Sequence, residues 1–230
     1  MNRKQDNNDK KIPPWENPIF LIIMTIIGGF MNAYTYITRN EILANMHTAN
    51  MSKLGINIAL GNWKNALNFF IPIIACVLGA AFSEYVAYLI KKSKYKGNWR
   101  KIALLIESIG LFSIGFIPLS VLDFIVTNLV SFWMGYQLCL FKKCLGVGYS
   151  TTICTGNIRT IGQFLYDALE EENKFYTIKL ITFTVLTFSF ALGAALGTLI
   201  SISISVKSVW IPSIILLSQM IWIHTYDIIK

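Results

Sequence analysis

Charge is what this chain has least of. Only 14% of its 230 residues are Asp, Glu, Lys or Arg, where an ordinary soluble domain carries about 25%. Of the 12 acidic side chains, only Glu84 and Glu107 lie well inside apolar runs. Disorder is excluded, because 54% of the residues are hydrophobic and such a chain has ample apolar surface to bury. Cys76, Cys139, Cys144 and Cys154 are the only cysteines and show no Cys-x-x-Cys spacing, which excludes a disulfide scaffold and leaves free thiols as the expectation. Histidine is scarcer still. His47 could titrate near neutral pH, but it has no neighbouring Cys, His or Asp ligand and reads as a polar packing residue. His224 sits beside Tyr226 and Asp227 near a span end. There is no Gly-rich nucleotide loop, no Gly-x-Ser-x-Gly elbow and no His-Glu-x-x-His pattern. Neither a cofactor, nor a metal, nor enzymatic chemistry is expected.

Long apolar runs are what the chain has instead. Six stretches, near 18–38, 65–90, 102–120, 123–141, 180–206 and 208–226, are long enough to cross a bilayer, which takes roughly 20 apolar residues in helix. The expected fold is therefore an all-α polytopic membrane protein with six transmembrane helices. Trp15, Trp63, Trp99 and Trp210 fall at the edges of these stretches, where indole rings prefer the interface. Residues 1–17 form a polar tail carrying Pro13 and Pro14, and no small-residue cleavage site follows the first run, so an uncleaved first helix is expected.

The net charge of +8 has a topological explanation. With six spans, sixteen of the twenty basic residues fall on the side of the N-terminus, the loop 91–101, the stretch 142–179 and the C-terminal Lys230, against Arg39, Lys53, Lys64 and Lys207 on the other. Basic residues concentrate on the cytoplasmic side, so both termini are expected there. Attraction to anionic lipid accounts for the excess, and nucleic acid is not an expected partner.

Two halves of the chain match in order. Gly29-Phe30-Met31-Asn32-Ala33 aligns with Gly135-Tyr136-Gln137-Leu138-Cys139, and His47-Thr48-Ala49-Asn50-Met51 with Cys154-Thr155-Gly156-Asn157-Ile158. Leu78-Gly79-Ala80-Ala81 then aligns with Leu192-Gly193-Ala194-Ala195, and Leu104-Leu105-Ile106-Glu107 with Leu216-Leu217-Ser218-Gln219, at offsets of 106, 107, 114 and 112. One membrane domain with two three-span repeats, 18–120 and 121–230, is the expected organisation. An odd number of spans per repeat inverts one half relative to the other, a plan common to secondary transporters.

The stretches 40–62 and 146–168 are too polar to face lipid and too apolar for ordinary loops. From Thr48 to Leu60 there are 13 residues, about 20 Å of helix, which is short of the roughly 30 Å hydrocarbon core. Both are expected to be short re-entrant or interfacial helices. Thr48, Asn50, Thr155 and Asn157 could cap the free amides at the helix starts, and Gly156 permits a tight approach. Helix starts inside a membrane protein favour polar or anionic solutes. The candidate solute site therefore comprises Asn32, Thr48, Asn50, Gln137, Thr155, Gly156 and Asn157.

These paired motifs, above all Thr151-Thr152-Ile153-Cys154-Thr155-Gly156-Asn157, resemble the YoaK family of uncharacterised bacterial membrane proteins over about 18–226. The resemblance implies a multi-span protein of the bacterial inner (plasma) membrane and carries over no activity or catalytic residue. The chain departs from the family pattern in having Asn32 where Asp is common, Ala49 where Gly is common and Leu138 where Asn is common. Asn32 cannot carry a proton as a carboxylate can.

That leaves Glu84 and Glu107 as candidates for proton coupling. An acid inside a membrane segment costs about 2.5–3.5 kcal/mol on insertion scales and is a functional hypothesis by default. Glu84 precedes Lys91 by seven residues and Glu107 follows Lys101 by six, which in a helical hairpin sets both carboxyls ~10 Å inside the cytoplasmic end. The expected function is a small secondary transporter or permease for an unidentified small solute in the lipid bilayer. The alternative is a non-transport scaffold, sensor or complex subunit. Assembly as a homodimer stays open.

Overall fold

The computed structural model describes residues 12–39, 42–171 and 173–229. Arg3, Lys4, Lys10 and Lys11 of the expected tail, and Lys230, lie outside the described residues. The fold is all-α, with one two-stranded hairpin.

Asparagines that precede apolar runs start three of the helices. Asn17 accepts from the amide of Ile19 at 2.9 Å and Pro18 occupies the first helical position, where it needs no donor, so α1 runs Pro18–Thr38. Asn98 caps α4 (Trp99–Ile114) and Asn173 caps α7 (Lys174–Ile204) in the same way. The remaining helices are α2 (His47–Ala59), α3 (Trp63–Lys92), α5 (Asp123–Leu140), α6 (Thr155–Glu170) and α8 (Trp210–Ile229). Short 3-10 turns precede α1 (Pro14–Glu16) and join α7 to α8 (Ser205–Val209). The strands β1 (Lys143–Cys144) and β2 (Val147–Gly148) pair antiparallel around Leu145 and Gly146. Both of those residues have positive φ, 49° and 78°, the backbone that a two-residue hairpin turn requires.

Three stretches among the described residues are long and apolar enough to cross a bilayer: Pro18–Thr38, Trp63–Lys92 and Lys174–Ile229, the last holding both α7 and α8. The 30 and 31 residues of α3 and α7 amount to about 45 Å each. α5 is interrupted by Asp123, Thr127, Asn128, Ser131 and Gln137. α4 is shorter than the apolar run that encodes it, beginning at Trp99 and ending at Ile114 instead of covering 102–120. The reason lies outside α4. Arg39, at the end of α1 and fully buried, donates to the carbonyls of Ile117 at 3.0 Å and of Pro118 and Val121 at 3.3 Å, holding that stretch as a turn. Trp210 donates to Phe112 O at 3.1 Å and covers the helix end at Gly115.

α1 is the central helix. Most of its length is buried inside the molecule, whereas α3 and the α7–α8 stretch are mostly on the outside. A helix apolar all round belongs inside. The outer helices instead turn Val77, Leu78, Phe188, Leu192, Leu199 and Ile202 outward, an apolar exterior that suits lipid.

Packing follows the small residues. α1 lies along α7, α3 along α5 and α4 along α8, while α2 rests on α3 and α6 on α7. A Cβ at Gly29 would fall on Phe190 O, and one at Gly193 on Ile26 O, so α1 and α7 touch backbone to backbone. Gly79 meets Phe132 O and Gly135 meets Cys76 O in the same way between α3 and α5. Such approaches let dispersion and weak polar contacts hold helices together where lipid removes the hydrophobic drive.

At one end of the molecule, the Arg100 guanidinium lies between the rings of Trp15 and Trp99, 4.7 and 4.8 Å from their centroids. Lys101 pairs with Asp227 at 2.9 Å. Burial alone would depress the Lys101 pKa, but the Asp227 hydrogen bond and charge outweigh it and hold it above its ordinary value. Glu16 accepts from the amides of Leu145 and Gly146. The chain before α1, the start of α4, the hairpin and the end of α8 are thereby clasped together.

Candidate functional site

The segments leading into α2 and α6 meet in the interior. Before α2, Ala44 is fixed from two sides: its amide donates to Thr35 Oγ1 of α1 at 3.3 Å, and its carbonyl accepts from Ser131 of α5. The next residue, Asn45, donates from Nδ2 to Thr152 O at 3.1 Å. Before α6, Tyr149 donates to Leu186 O of α7 at 3.1 Å and lies 2.8 Å from Thr25 Oγ1 of α1. Gln137, fully buried on α5, donates from Nε2 to Met24 O at 3.0 Å and to Thr151 Oγ1 at 3.1 Å. Gly28 exists to let Thr151 O approach α1: a Cβ there would strike that oxygen.

Of the seven expected solute-site residues, the structure brings four inside. Asn32, Asn50, Gln137 and Asn157 are 8%, 8%, 0% and 2% exposed. Thr48, Thr155 and Gly156 are exposed, with open space around Gly156. Residues two apart on a helix point to different faces, so when the asparagine turns in the threonine turns out. The capping role expected of these side chains is corrected by the structure. Neither α2 nor α6 has a side-chain cap, their N-cap positions being Met46 and Cys154. Asn157 instead clamps the preceding loop, accepting from Ser150 N at 3.1 Å and donating to Ser150 O at 2.7 Å and Ile153 O at 3.1 Å.

Several polar atoms here are buried with no hydrogen-bond partner: Asn32 Oδ1, Asn45 Oδ1, Gln137 Oε1 and both ring nitrogens of His47. Leaving such a group unsatisfied costs about 1–3 kcal/mol, so these are polar atoms that a water or a solute would stabilise. Asn45 was not legible as a site residue, because only the meeting of the two loops gives it a role.

The two acids occupy different surroundings. Glu84 is exposed on α3 and pairs with Lys142. Glu107 on α4 is fully buried, and neither carboxyl oxygen has a hydrogen-bond partner. Their faces do not converge.

A cavity of about 540 Å³ opens between α2, α3 and α5, lined by Asn50 and Lys53, by Asn68 and Phe69, and by Phe124 and Thr127. Lys53 and the cavity went unread in the sequence, since three separate helices make it.

Helix, burial and exterior together define an all-α protein whose apolar helices suit a membrane. The family described as protein of unknown function (DUF1275) matches residues 20–222, and the chain belongs to it; this is the YoaK-like family that the motifs resemble. No curated protein and no solved structure matches the chain.

Proposed function

We propose that the protein is a small secondary transporter or permease for a small solute, with six helices crossing the bilayer, both termini cytoplasmic, and the halves 18–120 and 121–230 related as an inverted repeat. The observation that carries the reading is a reciprocity of contacts. Gly29 touches Phe190 while Gly135 touches Cys76, and Gly193 touches Ile26 while Gly79 touches Phe132. Adding 106 to Gly29 and Ile26 gives Gly135 and Phe132; adding 114 to Cys76 and Gly79 gives Phe190 and Gly193. Those are the same offsets that the sequence matches carry. Exchanging the halves therefore turns the α1–α7 contact into the α5–α3 contact. Two short helices, one from each half, whose leading segments meet in the interior, complete the plan by which many transporters hold solute at the repeat interface.

The orientation rests on the basic residues. Arg39, one of the four on the less basic side, is consumed in the interior by carbonyls and Asp123, which makes the bias stronger. No chemical conversion is part of this reading; its partners are the bilayer and a small solute.

Purified protein in liposomes, screened against organic acids, amino acids and small anions, tests the reading. Saturable uptake of one class supports it. A second reading, a membrane scaffold or complex subunit, is favoured by one observation: the Asn45–Thr152 hydrogen bond ties the two loops directly together. Absence of flux across the whole panel would select it.

A further inference from the structure

We propose that the cavity between α2, α3 and α5 binds an amphipathic organic monoanion, with its carboxylate at Lys53 and its apolar part along Phe69, Phe124 and Pro72. The inference rests on the transport reading and deepens it by naming the class of solute.

The cavity's chemistry is divided along its depth. Its volume of about 540 Å³ falls within the roughly 300–1,000 Å³ usual for small-molecule sites. Exposed Lys53 and Asn68 stand at the mouth, and buried Asn50 and Thr127 stand within. Among the described residues, Lys53 is the only charged one lining it. Among the described residues Lys53 makes no ion pair; its ammonium lies 5.3 Å from the centroid of the Phe69 ring. A cation that faces an apolar chamber without a carboxylate partner is complementary to an anion carrying apolar bulk, and hostile to a cation.

Thr127 supplies an independent observation. It is 2% exposed, lines the cavity, and its hydroxyl has no hydrogen-bond partner. Buried hydroxyls normally find one. Asn50, three residues before Lys53 on α2 and beside the same chamber, is 8% exposed and offers both a donor and an acceptor. A carboxylate at the mouth with a second polar contact at depth would satisfy these groups, whereas a purely apolar occupant would leave them bare.

The same chemistry could arrive from water as an organic acid or from the bilayer as an anionic lipid; the proposal commits to the organic acid. The full chain in nanodiscs of zwitterionic lipid is titrated with octanoate, octanol and octylammonium by equilibrium dialysis. Octanoate binds saturably at one site and at least ten-fold tighter than the other two. Lys53→Gln lowers that affinity at least ten-fold and Lys53→Arg largely keeps it. Thr127→Val, which preserves volume, weakens 8-hydroxyoctanoate, whose terminal hydroxyl can reach Thr127, more than it weakens octanoate, with thermal melting checking that each variant is folded. Equal affinity for octanoate and octanol, or an unchanged Lys53→Gln, overturns the proposal. So does loss of octanoate binding when a few per cent phosphatidylglycerol is added, which would make the occupant a lipid. Flux of a different solute without octanoate binding sinks this inference and leaves transport standing; octanoate binding without any flux does the reverse.

Discussion

The guanidinium of Arg39 lies 3.6 Å from the carboxylate of Asp123, so the last turn of α1 and the first turn of α5 are joined by a charge pair. The same guanidinium holds the three carbonyls beyond α4. One fully buried side chain thus closes one end of the bundle.

Removing it takes the donor from three carbonyls and one partner from Asp123. Arg39→Met is expected to destabilise the protein by about 1–3 kcal/mol, the usual cost of leaving buried acceptors without a donor. Arg39→Lys keeps the charge but cannot reach several carbonyls at once, because it lacks the planar fork, and should fall between. Denaturant titration in detergent reads both. Wild-type stability in Arg39→Met would mean that water replaces the side chain.

The helix seams give a contrast between glycines. Gly29→Ala and Gly135→Ala each place a methyl on a backbone oxygen of the facing helix and should cost about 1–3 kcal/mol as overpacking. The two losses should be similar, as reciprocal contacts require. Gly162→Ala, in α6 with open space around it, should instead stabilise by up to about 1 kcal/mol through helix propensity. Thermal melts of the three variants decide it, and a harmless Gly29→Ala would contradict the seam.

Coupling, if it runs on protons, falls to Glu107. Glu84 sits at the surface beside Lys142, and an exposed pair of that kind contributes at most about 1 kcal/mol. Glu107→Gln keeps the shape and removes the titration. It should abolish accumulation against a gradient while downhill exchange remains measurable in liposomes. Accumulation with unaltered pH dependence would make Glu107 a bystander.

Alkaline pH should loosen the hairpin end. Burial pushes the Cys144 thiol from 9.0 up to about 12, so the folded state holds that proton where the unfolded chain releases it. Its contribution is complete below pH 9 and is lost progressively as pH rises from 9 toward 12. Lys101, also raised by its partner Asp227, acts in the same direction. Stability measured from pH 8 to 11 should fall, and Cys144→Ala should flatten the slope. The thiol should also resist maleimide at pH 7.5 until the protein unfolds.

How much of this was legible in the sequence differs by element. The apolar runs located α1 and α5 to within a residue and α3 and α8 to within three, because burial in lipid or protein demands continuous hydrophobicity; α7 ends within two residues of its run but begins at Lys174, six residues before it. The end of α4 was not legible, since Arg39 and Trp210 impose it from other parts of the chain. The Thr-x-Asn motifs marked where α2 and α6 begin, at His47 and Thr155. Which of their side chains faces inward depends on the rotation of each helix, and that is set by α3 and α7. Gly29, Gly79, Gly135 and Gly193 stood out in the sequence as matched positions of the two halves, but which helix each would meet did not. Asn45, Lys53 and Thr127 acquire a role only when distant helices converge.

The glycine seams also impose a schedule. α1 has its most intimate neighbour in α7, and 135 residues separate Thr38 from Lys174. At about 5–20 residues per second, synthesis of that interval takes on the order of ten seconds. Throughout it, Asn32 and the bare backbone around Gly29 have no permanent partner. Newly made α1 must therefore be sheltered, by the insertion machinery or by transient contact with α5, before α7 arrives. A chain cut after α4 would keep that unfinished surface for good, and rapid proteolysis, not a working half-protein, is its expected fate.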